Sequence, residues 1–148
     1  MRDLKLYTIG FTKHTAEDFF ASLGRENINK LIDVRLNNIS QLAGFSKKPD
    51  LEYFLKQICD IDYYHLPELA PTKSILDAYK KEKGSWEQYE NDFLELMYKR
   101  NIEDQLTKEF IDGSCLLCSE HEPHFCHRRL VAEYLNKNWD SIIFIKHI

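Results

Sequence analysis

Cys115-Leu116-Leu117-Cys118 is a short apolar run that leads through a polar connection into Cys126-His127-Arg128-Arg129-Leu130. The run reads as a buried strand, and residues 130–135 fall in the helix that follows it. Outward from this unit, short apolar runs alternate with amphipathic stretches along the whole chain. Residues 4–9 read as the first strand. Gly10 breaks it, and Thr15 caps a helix whose Ala16, Phe19, Phe20 and Leu23 share one face. Residues 31–34 give the second strand, and a polar loop runs from 35 to 48. Leu51, Phe54, Leu55 and Ile58 then recur at helical spacing before a third strand at 63–66. Pro67 and Pro71 bound a rigid loop. Ser85 and Gln88 have capping-box spacing for a helix through Tyr89, Phe93, Leu96 and Met97. A further helix is expected over 102–110, and residues 142–145 make the last strand.

Strands of continuous apolar character separated by helices predict an α/β fold: a single three-layer domain, residues 1–148, with a mainly parallel five-stranded sheet. The expected strand order is 3-2-1-4-5. Such a sheet opens a crevice at the carboxyl ends of its strands where the order reverses. That rule gathers Gly10 and Thr12, Cys118 to Glu120, and Asp33 with Arg35 at one place.

The 148 residues amount to one domain, and 43% hydrophobic against 30% charged excludes collagen-like and disordered classes. Nineteen aromatic residues supply bulk for a core. A net charge of −4 argues against coating long duplexes by charge alone, although nucleic acid stays a possible partner through a local basic pocket. No segment approaches the roughly 20 apolar residues of a membrane span, so a cytoplasmic protein with no membrane partner is expected. Four cysteines without a secretion signal read as reduced thiols, ligands or small core residues. Oligomeric state is left open.

The densest chemistry lies in residues 118–129, where thiols, imidazoles, carboxylates and guanidiniums share one strand-to-helix connection. Cys126 to Arg129 begin the helix, whose free N–H groups and dipole favour a thiolate or a bound anion. Cys115 and Cys118 suggest a zinc pair, but residues three apart on a strand face opposite sides, so both sulfurs cannot reach one metal. Cys115 is therefore expected in the core, and Cys59 in packing. Cys118 and Cys126 are expected to meet across the loop as nucleophile and helper, redox pair or metal half-site. Glu120 and His127 are the candidates for proton transfer. Arg35 can clamp a phosphate or carboxylate, or pair structurally with Asp33. Ser46, Lys47 and Lys48 join Arg35 and Arg128 in a basic mouth. Gly10 and Thr12 offer amides and a hydroxyl to an anion. No Gly-x-Gly-x-x-Gly or Walker pattern occurs, which argues against dinucleotide or ordinary nucleoside-triphosphate cofactors; the residues specify no other cofactor and no defined set of metal ligands. Tyr63, Tyr64, Trp86 and Tyr89 are expected as core or groove walls.

Cys118-x-Glu120 followed by Cys126-His127-Arg128 resembles the signature of a bacterial family, domain of unknown function 488 (DUF488). Tyr7-Thr8-Ile9-Gly10, Asp33-Val34-Arg35, Gly44-Phe45-Ser46-Lys47 and His65-Leu66-Pro67-Glu68-Leu69 match further family motifs in order, so the resemblance spans nearly the whole chain. It implies a shared site and names no reaction. His121 and His124 lie outside the family pattern, and Ala70-Pro71 replaces a Gly pair.

These readings converge on a small enzyme for an anionic, nucleotide-like or phosphorylated substrate, with a reactive cysteine at the carboxyl end of strand four. The alternatives are a non-catalytic module binding nucleotide, nucleic acid or protein, and a Cys/His metal-binding protein.

Overall fold

Strand β1 (Leu4–Gly10) buries its last five residues. It lies within a parallel five-stranded sheet in the computed structural model of the chain, which describes residues 3–37, 45, 47–119 and 125–148. Its companions are β2 (Lys30–Asp33), β3 (Asp62–His65), β4 (Ser114–Cys118) and β5 (Ile143–His147). Every neighbouring pair runs parallel. Residues 38–44, 46 and 120–124 fall outside the described set, and with them the expectations for Gly44, Ser46, Glu120, His121 and His124.

The α/β class stands, but the strand order is β3-β2-β4-β1-β5, not 3-2-1-4-5. β4 sits between β1 and β2. Burial explains the difference: all five residues of Ser-Cys-Leu-Leu-Cys are buried, whereas Lys146 and His147 of β5 are exposed. A central strand has neighbours on both edges and helices on both faces, and β4 is the strand apolar enough to fill that position.

One face is covered by α1 (Ala16–Arg25) and α2 (Lys48–Phe54), with a single wider π-helical turn over Leu55–Cys59. Phe19, Leu23, Leu51 and Leu55 pack there on Tyr7, Ile9, Leu31, Cys115 and Leu117. The other face carries α3 (Lys73–Lys80), α4 (Trp86–Lys99), α5 (Ile102–Gln105), α6 (Lys108–Ile111) and α7 (His127–Asn138). Phe93, Met97, Leu130 and Leu135 pack there on Leu6, Ile32, Leu116 and Cys118. Cys115 and Cys118 therefore do lie on opposite faces.

Local chemistry refines several boundaries. The π turn shifts the phase of the second helix, so Leu51 and Leu55 are buried while Ile58 is 60% exposed. The helix expected over 102–110 divides at Thr107, whose hydroxyl accepts the Phe110 amide and starts α6. Only half of the expected capping box forms. Ser85 accepts the Gln88 amide at 3.1 Å, but the Gln88 side chain donates forward to Asp92 at 2.8 Å. Within the Pro67-to-Pro71 loop, Pro67–Leu69 make one 3₁₀ turn, and the Arg100 guanidinium donates to the Glu68 and Ala70 carbonyls.

Candidate functional site

Parallel register aligns the strand ends that build the site. Gly10 pairs with Cys118, Asp33 with Leu117, and the Val34 amide continues the ladder to the Leu117 carbonyl at 3.0 Å. Because β2 borders β4 directly, residues 33–35 emerge beside Cys118 without β1 intervening. The site residues are thus closer in the fold than the expected strand order implied.

Cys126 precedes α7 in extended conformation as its N-cap, and His127 is the first helical residue. The His127 Nε2–H donates to the Val34 carbonyl at 2.6 Å, since a carbonyl can only accept. That bond leaves Nδ1 facing the Cys118 sulfur at 3.5 Å. The ligating atoms of Cys118, Cys126 and His127 all lie within 4.8 Å of one another, and all three side chains are buried.

The two thiols are driven apart in acidity. Burial pushes Cys118 up, reinforced by its hydrogen bond to Cys126 and the charge there, and only partly opposed by Arg128 and the Ser119 amide. Burial would raise Cys126 as well. Hydrogen bonds from Cys118 and His127, with the charges of His127 and Arg128, outweigh it and hold Cys126 well below the ordinary thiol range. A protonated Cys118 beside an anionic Cys126 is the pairing this geometry favours. The same three atoms are close enough to converge on one metal ion.

Above them opens a cavity of about 240 Å³ lined by Cys118, Cys126 and His127 at the sheet end, by Arg35 and Asn37 after β2, and by α3 and α4. The walls are aromatic. Trp86 stacks on Tyr89 at 4.9 Å and meets Phe125 and Tyr79 edge-on at 5.4 and 5.5 Å. Lys80 also lines the cavity. Arg35 is 2% exposed and donates Nε and Nη2 to the two carboxylate oxygens of Asp33 at 2.8 and 2.7 Å. Tyr63 donates to the same carboxylate, and His65 bonds the Arg35 carbonyl. Arg35 is therefore paired structurally with Asp33, and it also lines the cavity wall.

Three expectations change. Arg128 is fully buried, donates from Nε to the Thr8 hydroxyl at 3.2 Å, and is not among the cavity-lining residues; it acts on the site as a charge from below. Lys47 is the exposed N-cap of α2, which packs on the opposite sheet face, and Lys80 takes the place of the expected Lys47 and Lys48 at the cavity. The Phe11 and Thr12 amides bond the Cys118 and Ser119 carbonyls, and the Thr12 hydroxyl also donates to Ser119, so the segment after Gly10 zips β1 to the β4 loop. Trp86 and Tyr89 are groove walls as read. Asn37, Tyr79, Lys80 and Phe125 were not singled out. The one signal for them was the aromatic spacing Tyr79, Trp86, Tyr89 across the α3–α4 turn.

The fold and the site define a three-layer α/β domain with a cysteine pair at the carboxyl edge of its parallel sheet. A family model described as "Domain of unknown function DUF488" matches residues 15–135, and the chain belongs to that family. No curated protein and no solved structure matches it.

Proposed function

We propose that this protein is a thiol-dependent enzyme for a small anionic substrate bearing a flat ring, nucleotide-like in character, with the Cys126 sulfur as nucleophile. The observation that carries the reading is the grouping of Cys118, Cys126 and His127 within 4.8 Å at the floor of an aromatic-walled cavity. A ring fits against Trp86 and Phe125, and Arg35 and Lys80 supply the cations for an anionic group. Cys118 donates a hydrogen bond to the thiolate, the α7 amino terminus stabilises negative charge, and His127 relays a proton through Nδ1. Asp33 holds the Arg35 fork in place. No helix among the described residues is long and apolar enough to cross a membrane. Free thiols at the centre of the chemistry suit the reducing cytoplasm.

The test is the pH profile of iodoacetamide alkylation, followed by peptide mass, with and without nucleoside monophosphates. Cys126 is expected to react near neutral pH, to be protected by a nucleoside monophosphate more than by phosphate or nucleoside alone, and to be silent as Cys126→Ser. Alkylation only above about pH 8.5, the free-thiol range, together with no protection, would refute the reading.

A second reading is a three-ligand zinc site. Its supporting observation is the His127 Nε2–H bond to Val34, the outer-sphere contact that fixes a ligating imidazole. Stoichiometric zinc in untagged protein would support it.

A further inference from the structure

We propose that Cys126 and Cys118 form a two-thiol couple that reduces small hydroperoxides and closes as an intramolecular disulfide. The proposal rests on the Cys126 nucleophile and extends it to a different co-substrate. In the first step the Cys126 sulfur attacks one peroxide oxygen. The S–O bond forms, the O–O bond breaks, and the departing oxygen leaves as an alcohol, or as water from hydrogen peroxide, after taking a proton. In the second step the Cys118 sulfur attacks the Cys126 sulfenic acid, the S–S bond forms, and water departs with the Cys118 proton. An external dithiol, oxidised to its own disulfide, returns both sulfurs to thiols.

The geometry supports each requirement. The sulfurs lie within 4.8 Å, so side-chain rotation is needed to bring them to the bonded separation of about 2.05 Å. Both residues line the same cavity, whose volume of about 240 Å³ leaves ample room for hydrogen peroxide or a small organic hydroperoxide. The attacking residue is the N-cap of a twelve-residue helix, and the His127 imidazole lies within 4.8 Å of its sulfur. The other two thiols are internal controls. Cys115 is fully buried on the far face of the sheet, and the Cys59 sulfur sits on that same side, bonded to the Phe20 carbonyl at 3.5 Å.

The decisive experiment exposes reduced, metal-free protein to one equivalent of hydrogen peroxide and counts thiols after denaturation. The four free cysteines are expected to fall to two, with a Cys118–Cys126 cross-link in the non-reducing peptide map that dithiothreitol reverses. Oxidation should run at least about tenfold faster than that of free cysteine. Cys118→Ser, with Cys118→Ala as a second variant, should stop at a sulfenic acid on Cys126 that dimedone traps. Four retained thiols, a cross-link elsewhere, or over-oxidation of Cys126 without a cross-link in the unmodified chain would overturn the proposal. If Cys126 is still alkylated near neutral pH while no cross-link forms, the nucleophile reading survives and only this inference falls. If neither occurs, both fall.

Discussion

Asp33 shows how much of the site depends on one carboxylate. It is fully buried, receives the Arg35 Nε and Nη2 donors, and also accepts the Arg35 amide at 3.1 Å and the Tyr63 hydroxyl at 2.6 Å. Four donors on two oxygens offset the desolvation of a buried ion pair, and the Arg35 guanidinium lies over the Phe11 ring at 5.4 Å as well. Removing the negative charge leaves the guanidinium in a dry environment with its fork mismatched. Asp33→Asn is therefore expected to lower unfolding free energy by about 3–5 kcal/mol in urea titration, the range for breaking a buried pair from one side. Tyr63→Phe should cost only about 1 kcal/mol, because one hydrogen bond is lost and the ion pair remains. Equal losses in the two variants would show that the carboxylate's charge is not what the site needs. Asp33 and Arg35 were legible in the sequence as a pair two residues apart at a strand end, whereas the Tyr63 bond depends on β3 lying beside β2.

At the scale of elements, the entry to β4 is the most constrained turn. Gly113 has φ of +79°, and a Cβ there would clash with the Asn29 side-chain nitrogen. Its amide donates to the Lys5 carbonyl at 2.7 Å and its carbonyl accepts the Asn29 amide at 3.0 Å, so the turn cannot shift without loosening β1 or the approach to β2. Gly113→Ala combines left-handed backbone strain with a clash, and a loss of about 1–3 kcal/mol is expected by urea or thermal unfolding. The alkylation profile of Cys126 should not change, because Gly113 precedes the amino end of β4 and the thiols sit at its carboxyl end. A large change in that profile would mean that β4 slides as a unit. Element types were legible because apolar runs and helical spacing are local: Thr15 and Ser85, read as caps, each cap a helix in the structure, whereas the Thr72 and Thr107 caps were not read. The opposite facing of Cys115 and Cys118 was legible for the same reason, since parity is a property of one strand. The place of β4 between β1 and β2 was not, because sheet order depends on competition among strands for the centre. Lys80 and Phe125 were equally hidden: α3 reaches the cavity through its packing on α4, which no single helix pattern specifies.

For the molecule as a whole, buried acids set the alkaline limit of stability. Burial raises Cys115, with Arg128 only partly opposing, and burial also raises Cys59. Burial and the Glu103 carboxylate raise Tyr134, and Cys118 is raised at the site. In the unfolded chain these thiols lose protons near pH 8.5, and the tyrosine near 10. The native state still holds its protons there, so it binds more of them than the unfolded state, and stability falls as pH rises. Cys126 has the opposite sense: its contribution is present above the unfolded thiol value and is lost as pH falls through its depressed native value. Urea midpoints should therefore decline progressively above about pH 8.5. Cys115 provides the cleanest measure, being fully buried, remote from the cavity and on the face covered by α1 and α2. Cys115→Ala should be somewhat less stable at pH 7 because of the small void. Its decline with pH should be shallower by about 1.4 kcal/mol per pH unit, the contribution of one proton retained only in the native state. Identical slopes for the two proteins would show that Cys115 ionises without unfolding. The sheet face opposite the candidate site would then have to be open to hydroxide, contrary to the close packing of Phe19, Leu23 and Leu55 over it.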